Sequence, residues 1–271
     1  MSYLQKLEKI VKKNNSNVVI GLDTDIEKIP AIFKDDSNPM LEFNKRIVAA
    51  TKNDVAGYKL NMAFYEEAGG IGLTAMRETV KYIPKEMIVI CDAKRGDMGN
   101  TDEMYAKAYF DNYDFDAITF SPYLGSDSIE PFLKRKGKLV YVLALTSNPG
   151  GKDLQMLKAG GKYIYEKVIE LGMKWGKPDN VGFVIGANHP AEIKKVLTKY
   201  KNVSLLLPGV GAQKADVRKL LGSLSNRNFL INSSRSIIYA AGDKCKEEDF
   251  EGKILDAVDK LNETINGNLD L

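Results

Sequence analysis

The chain has 271 residues, 44% hydrophobic and 28% charged, a balance that suits a globular fold. Its 39 basic and 36 acidic residues leave a net charge of +3 with no charged tail, which argues against nucleic-acid or membrane-surface partners and leaves any anionic ligand to a local cluster. Two cysteines, Cys91 and Cys245, make neither a metal-ligand spacing nor a disulfide framework; with a charged N-terminus and no apolar run approaching the roughly 18 residues of a membrane span, the expected location is the cytoplasm.

In chain order, "YLQKLEKIVKK" predicts a helix packed outside the main fold. Eight apolar or β-branched runs then recur, each ending in Gly, Pro or polar residues. They are "NVVIGLD" (17–23), "VAGYKLN" (55–61), "MIVICDAK" (87–94), "DAITFSPY" (116–123), "LVYVLALTS" (139–147), "VGFVIGA" (181–187), "SLLLPGV" (204–210) and "NFLINSS" (228–234). Most lack clean alternation, as parallel strands buried on both faces do. Helical patterns lie between them: Met40, Phe43, Ile47 and Ala50 are at helical spacing, as are Ile164, Val168, Leu171 and Trp175, and Pro190 suits a first helical turn. Strands alternating with helices over this length predict one α/β domain spanning 1–271, a (β/α)8 TIM barrel with an extra N-terminal helix. A doubly wound sheet would carry a glycine-rich dinucleotide turn after its first strand, and "GLDTDIEKIP" does not fit one.

In such a barrel the active site sits at the C-terminal strand ends. The first polar groups after each run are Asp23, Lys59 with Asn61, Asp92 with Lys94, Ser121, Thr146 with Ser147, Asn188, and Ser233 with Ser234 and Arg235. Alternation puts Asp92 and Lys94 on one face and Cys91 and Ala93 on the other. If the first pair points inward, two lysines and two aspartates converge at the barrel mouth, with Asp97 following in the loop and Thr101 one turn beyond. Lysines between carboxylates hold both acids ionised, an arrangement useful where a substrate loses an anionic group and gains a proton. The alternative is a structural ion-pair network at a solvated rim. "LPGVGAQKAD" and "INSSRSIIYA" follow the seventh and eighth runs, the usual place for phosphate. There Gly209 and Gly211 can expose backbone N–H groups, and Ser234 and Arg235 can grip an anion; the plainer reading of the glycines is turn formation.

These residues closely resemble the orotidine 5'-phosphate decarboxylase family, whose signature Asp-x-Lys-x-x-Asp-x-x-x-Thr closes the third barrel strand. Here it is "DAKRGDMGNT", carrying Asp92, Lys94, Asp97 and Thr101. The likeness covers nearly the whole chain, and "YKLNMAFYE", with Lys59 and Asn61, resembles the longer bacterial and protozoan branch. The resemblance implies that Asp23 binds a ribose hydroxyl and that Ser147 of "LTSNPG" contacts the pyrimidine. It implies that Gln213 of "PGVGAQ" bridges phosphate and base, and that Arg235 of "SSRSI" holds the phosphate. Two positions depart from the common pattern: Met98 for an isoleucine, a volume-conserving exchange, and Lys214-Ala215 where glycines often follow the glutamine.

The implied activity is decarboxylation of orotidine 5'-monophosphate to UMP and CO2 without metal or cofactor, the last step of UMP synthesis. Lys94 would stabilise and protonate the C6 carbanion, Asp92 would face the departing carboxylate, and Lys59 and Asp97 would complete the alternating charges. The family also implies an obligate homodimer in which Asp97 and Thr101 reach the partner's site. Rival readings are a metal-dependent sugar-phosphate decarboxylase of the same superfamily, with Asp92 as a Mg2+ ligand, and a Schiff-base phosphosugar aldolase using Lys59 or Lys94. The basic run "KRKGK" (134–138) reads as a helix end and turn, and the single histidine, His189, as part of a helix start.

Overall fold

The computed structural model describes residues 1–210, 217–224 and 228–269. All eight predicted runs are strands: β1 (Val18–Gly21), β2 (Gly57–Asn61), β3 (Ile88–Arg95), β4 (Ala117–Phe120), β5 (Leu139–Leu145), β6 (Val181–Ile185), β7 (Ser204–Pro208) and β8 (Phe229–Ser233). Each pairs in parallel with its successor and β8 closes on β1, so the sheet is a barrel without edges. β1, β4, β6 and β8 are buried at every residue, which is why their sequences run apolar instead of alternating.

The main helices are α1 (Tyr3–Asn14), α2 (Pro39–Thr51), α3 (Met62–Glu67), α4 (Gly69–Tyr82), α5 (Asn100–Ala106), α6 (Ser126–Leu133), α7 (Ile164–Trp175), α8 (Pro190–Lys199), α9 (Val217–Leu221), α10 (Arg235–Ile238) and α11 (Phe250–Asn266). No helix among the described residues is long and apolar enough to cross a membrane. In α2, Asn38 caps the start by accepting from Leu41 N–H, Pro39 opens the first turn, and Met40, Phe43, Ile47 and Val48 form the buried stripe. His189 does precede a helix that opens on Pro190.

One local detail differs from the sequence reading. In α7 the buried stripe is Tyr165, Ile169 and Gly172, one position away from Ile164, Val168 and Leu171, and Leu171 is 42% exposed. Gly172 decides this rotation: a Cβ there would lie 2.7 Å from the Phe183 ring of β6, so the helix settles its glycine onto that ring.

The expected extra N-terminal helix is α1. It lies under the N-terminal ends of the strands, where Lys6 Nζ meets both Asp116 oxygens at 2.7 Å just before β4. Tyr3 hydroxyl lies 3.0 Å from Tyr141 hydroxyl, which lies 2.9 Å from Ser204 Oγ inside the barrel. A capping box between Ser2 and Gln5 starts this helix and is worth about 1 kcal/mol. The barrel floor is therefore sealed by α1, and the opposite mouth is left for chemistry.

Candidate active site

The ladder between β1, β2 and β3 pairs Gly21 with Lys59 and Lys59 with Ile90, while Asn61 pairs with Asp92. Lys59 thus starts one inward-facing step below Asp23 and Asp92, and its side chain rises between them. Its Nζ lies 3.2 Å from Asp23 Oδ1 and 3.1 Å from Asp92 Oδ2, and the side chain is 5% exposed. Burial alone would push this lysine down; the Asp92 and Asp23 carboxylates reverse that and hold its ammonium well above the usual range.

Asp92 is the hub. Besides Lys59, it accepts from Lys94 Nζ at 2.7 Å and from Thr119 Oγ1 at 2.9 Å. Burial works against its charged form, but the two lysines and the Lys94 and Thr119 hydrogen bonds outweigh it and keep the carboxyl well below the usual carboxylate range. The result is a line of alternating charge, Asp23–Lys59–Asp92–Lys94, with three buried or half-buried members and a Lys94 side chain that is 51% exposed.

Lys94 does not reach this line by simple alternation. Between Cys91 and Arg95, β3 takes four steps while β4 takes two, from Ile118 to Phe120, so the strand bulges at the residues that carry the charges. Lys94 itself has φ 50, a left-handed conformation that costs a non-glycine residue about 1–2 kcal/mol. Its backbone N–H donates to Thr119 Oγ1 at 3.0 Å, and the same hydroxyl donates to Asp92. Thr119 therefore ties the two charged residues together. Sequence reading passed over it because it lies inside the apolar run, two residues before Ser121, which instead donates its N–H to Arg95 carbonyl at 2.8 Å.

On the other side of the mouth, a Cβ at Gly21 would lie 1.9 Å from Ser234 Oγ, so glycine lets the end of β8 keep Ser234 close against β1. Arg235 follows as the exposed first residue of α10, and its guanidinium makes no hydrogen bond or ion pair among the described residues. With only four residues, α10 carries a small dipole, so an anion here would be held chiefly by the arginine charge. Gly186 admits Ser147, whose Cβ lies 2.9 Å from where its own Cβ would be. Asn61 caps α3, accepting from Ala63 N–H at 3.3 Å. Gly211 and Gln213, together with Lys214 and Ala215, lie outside the described residues. Among the described residues, no group of three or more His, Cys, Asp or Glu side chains is arranged to hold a metal ion.

The orotidine 5'-phosphate decarboxylase / HUMPS family model matches residues 16–248. The chain belongs to that family. It is 43% identical over 242 residues to the orotidine 5'-phosphate decarboxylase of Herpetosiphon aurantiacus, covering 89% of this chain and 90% of that protein. Among solved structures it matches Leishmania donovani OMP decarboxylase with a TM-score of 0.83 and 32% identity, over 99% of this chain and 98% of that one. It also matches Leishmania donovani UMP synthase with a TM-score of 0.87 and 34% identity; there it covers 99% of itself but 56% of the longer chain. The family expected from "DAKRGDMGNT" and the barrel expected from the alternating strands and helices are thus borne out.

Within one chain of this family member, the structure joins Asp23, Lys59, Asp92 and Lys94 directly and leaves other expected residues apart. Asp97 is turned back on its own loop: its carboxylate accepts Met98 N–H at 2.8 Å, and its N–H donates to Asp102 at 3.0 and 3.1 Å. Thr101 is exposed in the first turn of α5 and Met98 is 65% exposed beside it. Neither Asp97 nor Thr101 makes a hydrogen bond or ion pair to the charged line among the described residues.

Proposed function

We propose that the chain decarboxylates orotidine 5'-monophosphate to UMP and CO2 in the last step of UMP synthesis, without metal or organic cofactor. The observation that carries this reading is the line of alternating charge Asp23–Lys59–Asp92–Lys94 at the barrel mouth. When the bond between C6 and the carboxylate carbon breaks, its electron pair stays on C6, and negative charge moves from the side of Asp92 to the side of Lys94. The Lys94 ammonium, fixed 2.7 Å from Asp92, stabilises that carbanion without reorganising and then gives C6 its proton. The neutral amine takes a proton back from water. Lys59 keeps Asp92 charged, and because its own ammonium is held protonated it is a poor Schiff-base nucleophile.

Asp23 serves the ribose in this reading and Ser147 the pyrimidine, with Asn61 a further substrate-binding residue. Gly211, Gln213, Ser234 and Arg235 serve the phosphate, whose remote binding energy is used at the reacting carbon. Asp97 and Thr101 complete the site of a partner copy in a cytoplasmic homodimer, which accords with their making no hydrogen bond or ion pair to their own array among the described residues. The test is loss of orotidine monophosphate absorbance on adding purified protein in excess EDTA. Turnover at the rate seen without EDTA is expected; none with or without EDTA rejects the activity, and turnover only with added Mg2+ rejects the metal-free route.

A further inference from the structure

In "DAKRGD" the Arg95 side chain leaves the barrel mouth for the surrounding helices. It runs outward between α3 and α5 and is 23% exposed. There its Nη2 donates to Glu66 of α3 and, at 2.9 Å, to the hydroxyl of Tyr109. The guanidinium also lies over the rings of Tyr105 and Tyr109, 5.1 and 5.7 Å from their centroids. Tyr109 sits in the π-helical turn Lys107–Asn112 that continues α5, and its ring stacks on Tyr105. The fourth contact turns back to the strand: Nη1 donates to the carbonyl of Ala93 at 3.2 Å.

Those contacts bracket Lys94. Ala93 is held through its carbonyl by the Arg95 side chain, and Arg95 is held through its own carbonyl by Ser121 N–H at 2.8 Å. Between them Lys94 keeps its left-handed backbone, φ 50, with its N–H on Thr119. A lysine has no local preference for that conformation, so its surroundings must impose it. Arg95 also buries its Nε without a hydrogen bond among the described residues, an unfavourable feature that packing alone would not retain. A planar fork able to reach a carbonyl, a carboxylate, a hydroxyl and two ring faces at once is available only from arginine.

We propose that Arg95 is a positioning residue for Lys94: anchored on α3 and α5, it locks the β3 bulge so that the Lys94 ammonium stays on Asp92. The inference rests on the reading of Lys94 as the group that protonates C6. It is tested with Arg95→Ala and with Arg95→Lys, which keeps the charge and loses the fork, each by crystallography and by kinetics on orotidine monophosphate.

In both variants Lys94 should leave positive φ and its Nζ should move more than about 4 Å from Asp92, with kcat falling about 10–100-fold. KM and the dissociation constant of UMP should stay within about threefold, because phosphate and ribose contacts lie on other strands. An unmoved Lys94, a kcat within about twofold of the parent, or an equal loss of kcat and UMP affinity overturns the proposal. A parent protein inactive on orotidine monophosphate refutes the proposed function instead, and the placement of Lys94 in the variant crystals still decides the role of Arg95.

Discussion

Replacing Lys59 with methionine removes the cation at the centre of the charged line while nearly preserving its volume. At an effective dielectric near 20, the contacts at 3.1 and 3.2 Å are each worth about 5 kcal/mol gross, much of it offset by desolvation of the ammonium. After the substitution Asp92 retains Lys94 and Thr119, but Asp23 keeps no cation among the described residues. Two carboxylates about 6 Å apart then repel by about 3 kcal/mol at that dielectric. Breaking a buried ion pair from one side typically costs about 3–5 kcal/mol, and Lys59→Met should lose that much stability at pH 7.

The pH dependence carries the sign. In the parent, the folded carboxyl of Asp92 titrates well below its unfolded value, so its stabilisation is present above about pH 4 and is lost as pH falls through the folded value. In the variant the balance at Asp92 tips toward burial and repulsion, its folded carboxyl titrates higher, and protonation relieves it. Urea unfolding at pH 7 and at pH 4.5 should therefore show the gap between parent and variant narrowing at the lower pH, by about 1 kcal/mol or more. A gap below about 1 kcal/mol at pH 7, or one that does not change with pH, would refute the electrostatic account.

Lys94→Ala should abolish turnover while the melting temperature stays near that of the parent, because the Lys94 side chain is half exposed and its proposed role is in the reaction; substantial residual decarboxylation would remove it as proton donor. Mixing Lys94→Ala with Asp97→Ala should restore activity if sites are shared, up to about 25% of the parent when subunits exchange randomly. No recovery despite heterodimers seen by native mass spectrometry counts against sharing. At the floor, Lys6→Met leaves the Asp116 carboxylate, buried beneath α1, with its one ion-pair partner among the described residues removed, and should cost about 3–5 kcal/mol in urea unfolding with kcat unchanged. A loss of activity at equal folding would mean that floor and mouth are coupled.

Much of the molecule is legible before folding because its signals are local. A strand buried on both faces must be apolar along its length, so β1, β4, β6 and β8 announce themselves. Asn38-Pro39 starts α2 by chemistry confined to one turn. Periodicity alone puts the face of α7 one position off, because its burial is set by the Phe183 ring meeting Gly172, a contact with another element. Thr119 was passed over for the same kind of reason: a threonine inside an apolar run looks like strand, and only its distance to Asp92 gives it a role.

By itself, the sequence determined the barrel, the family signature and the identities of the charged groups, since each depends on composition, period or spacing along the chain. Only the tertiary structure decided how those groups meet. The barrel's register sets Lys59 a step below two aspartates, and the β3 bulge turns Lys94 onto Asp92 with a left-handed backbone that no lysine adopts unaided. Arg95 shows the difference most clearly: in the sequence it is one charge among four, and in the fold it points to the helices and holds the strand. Residues distant along the chain acquire a common site because closing the sheet brings their strand ends together, and Coulomb interactions act through space regardless of their separation in sequence.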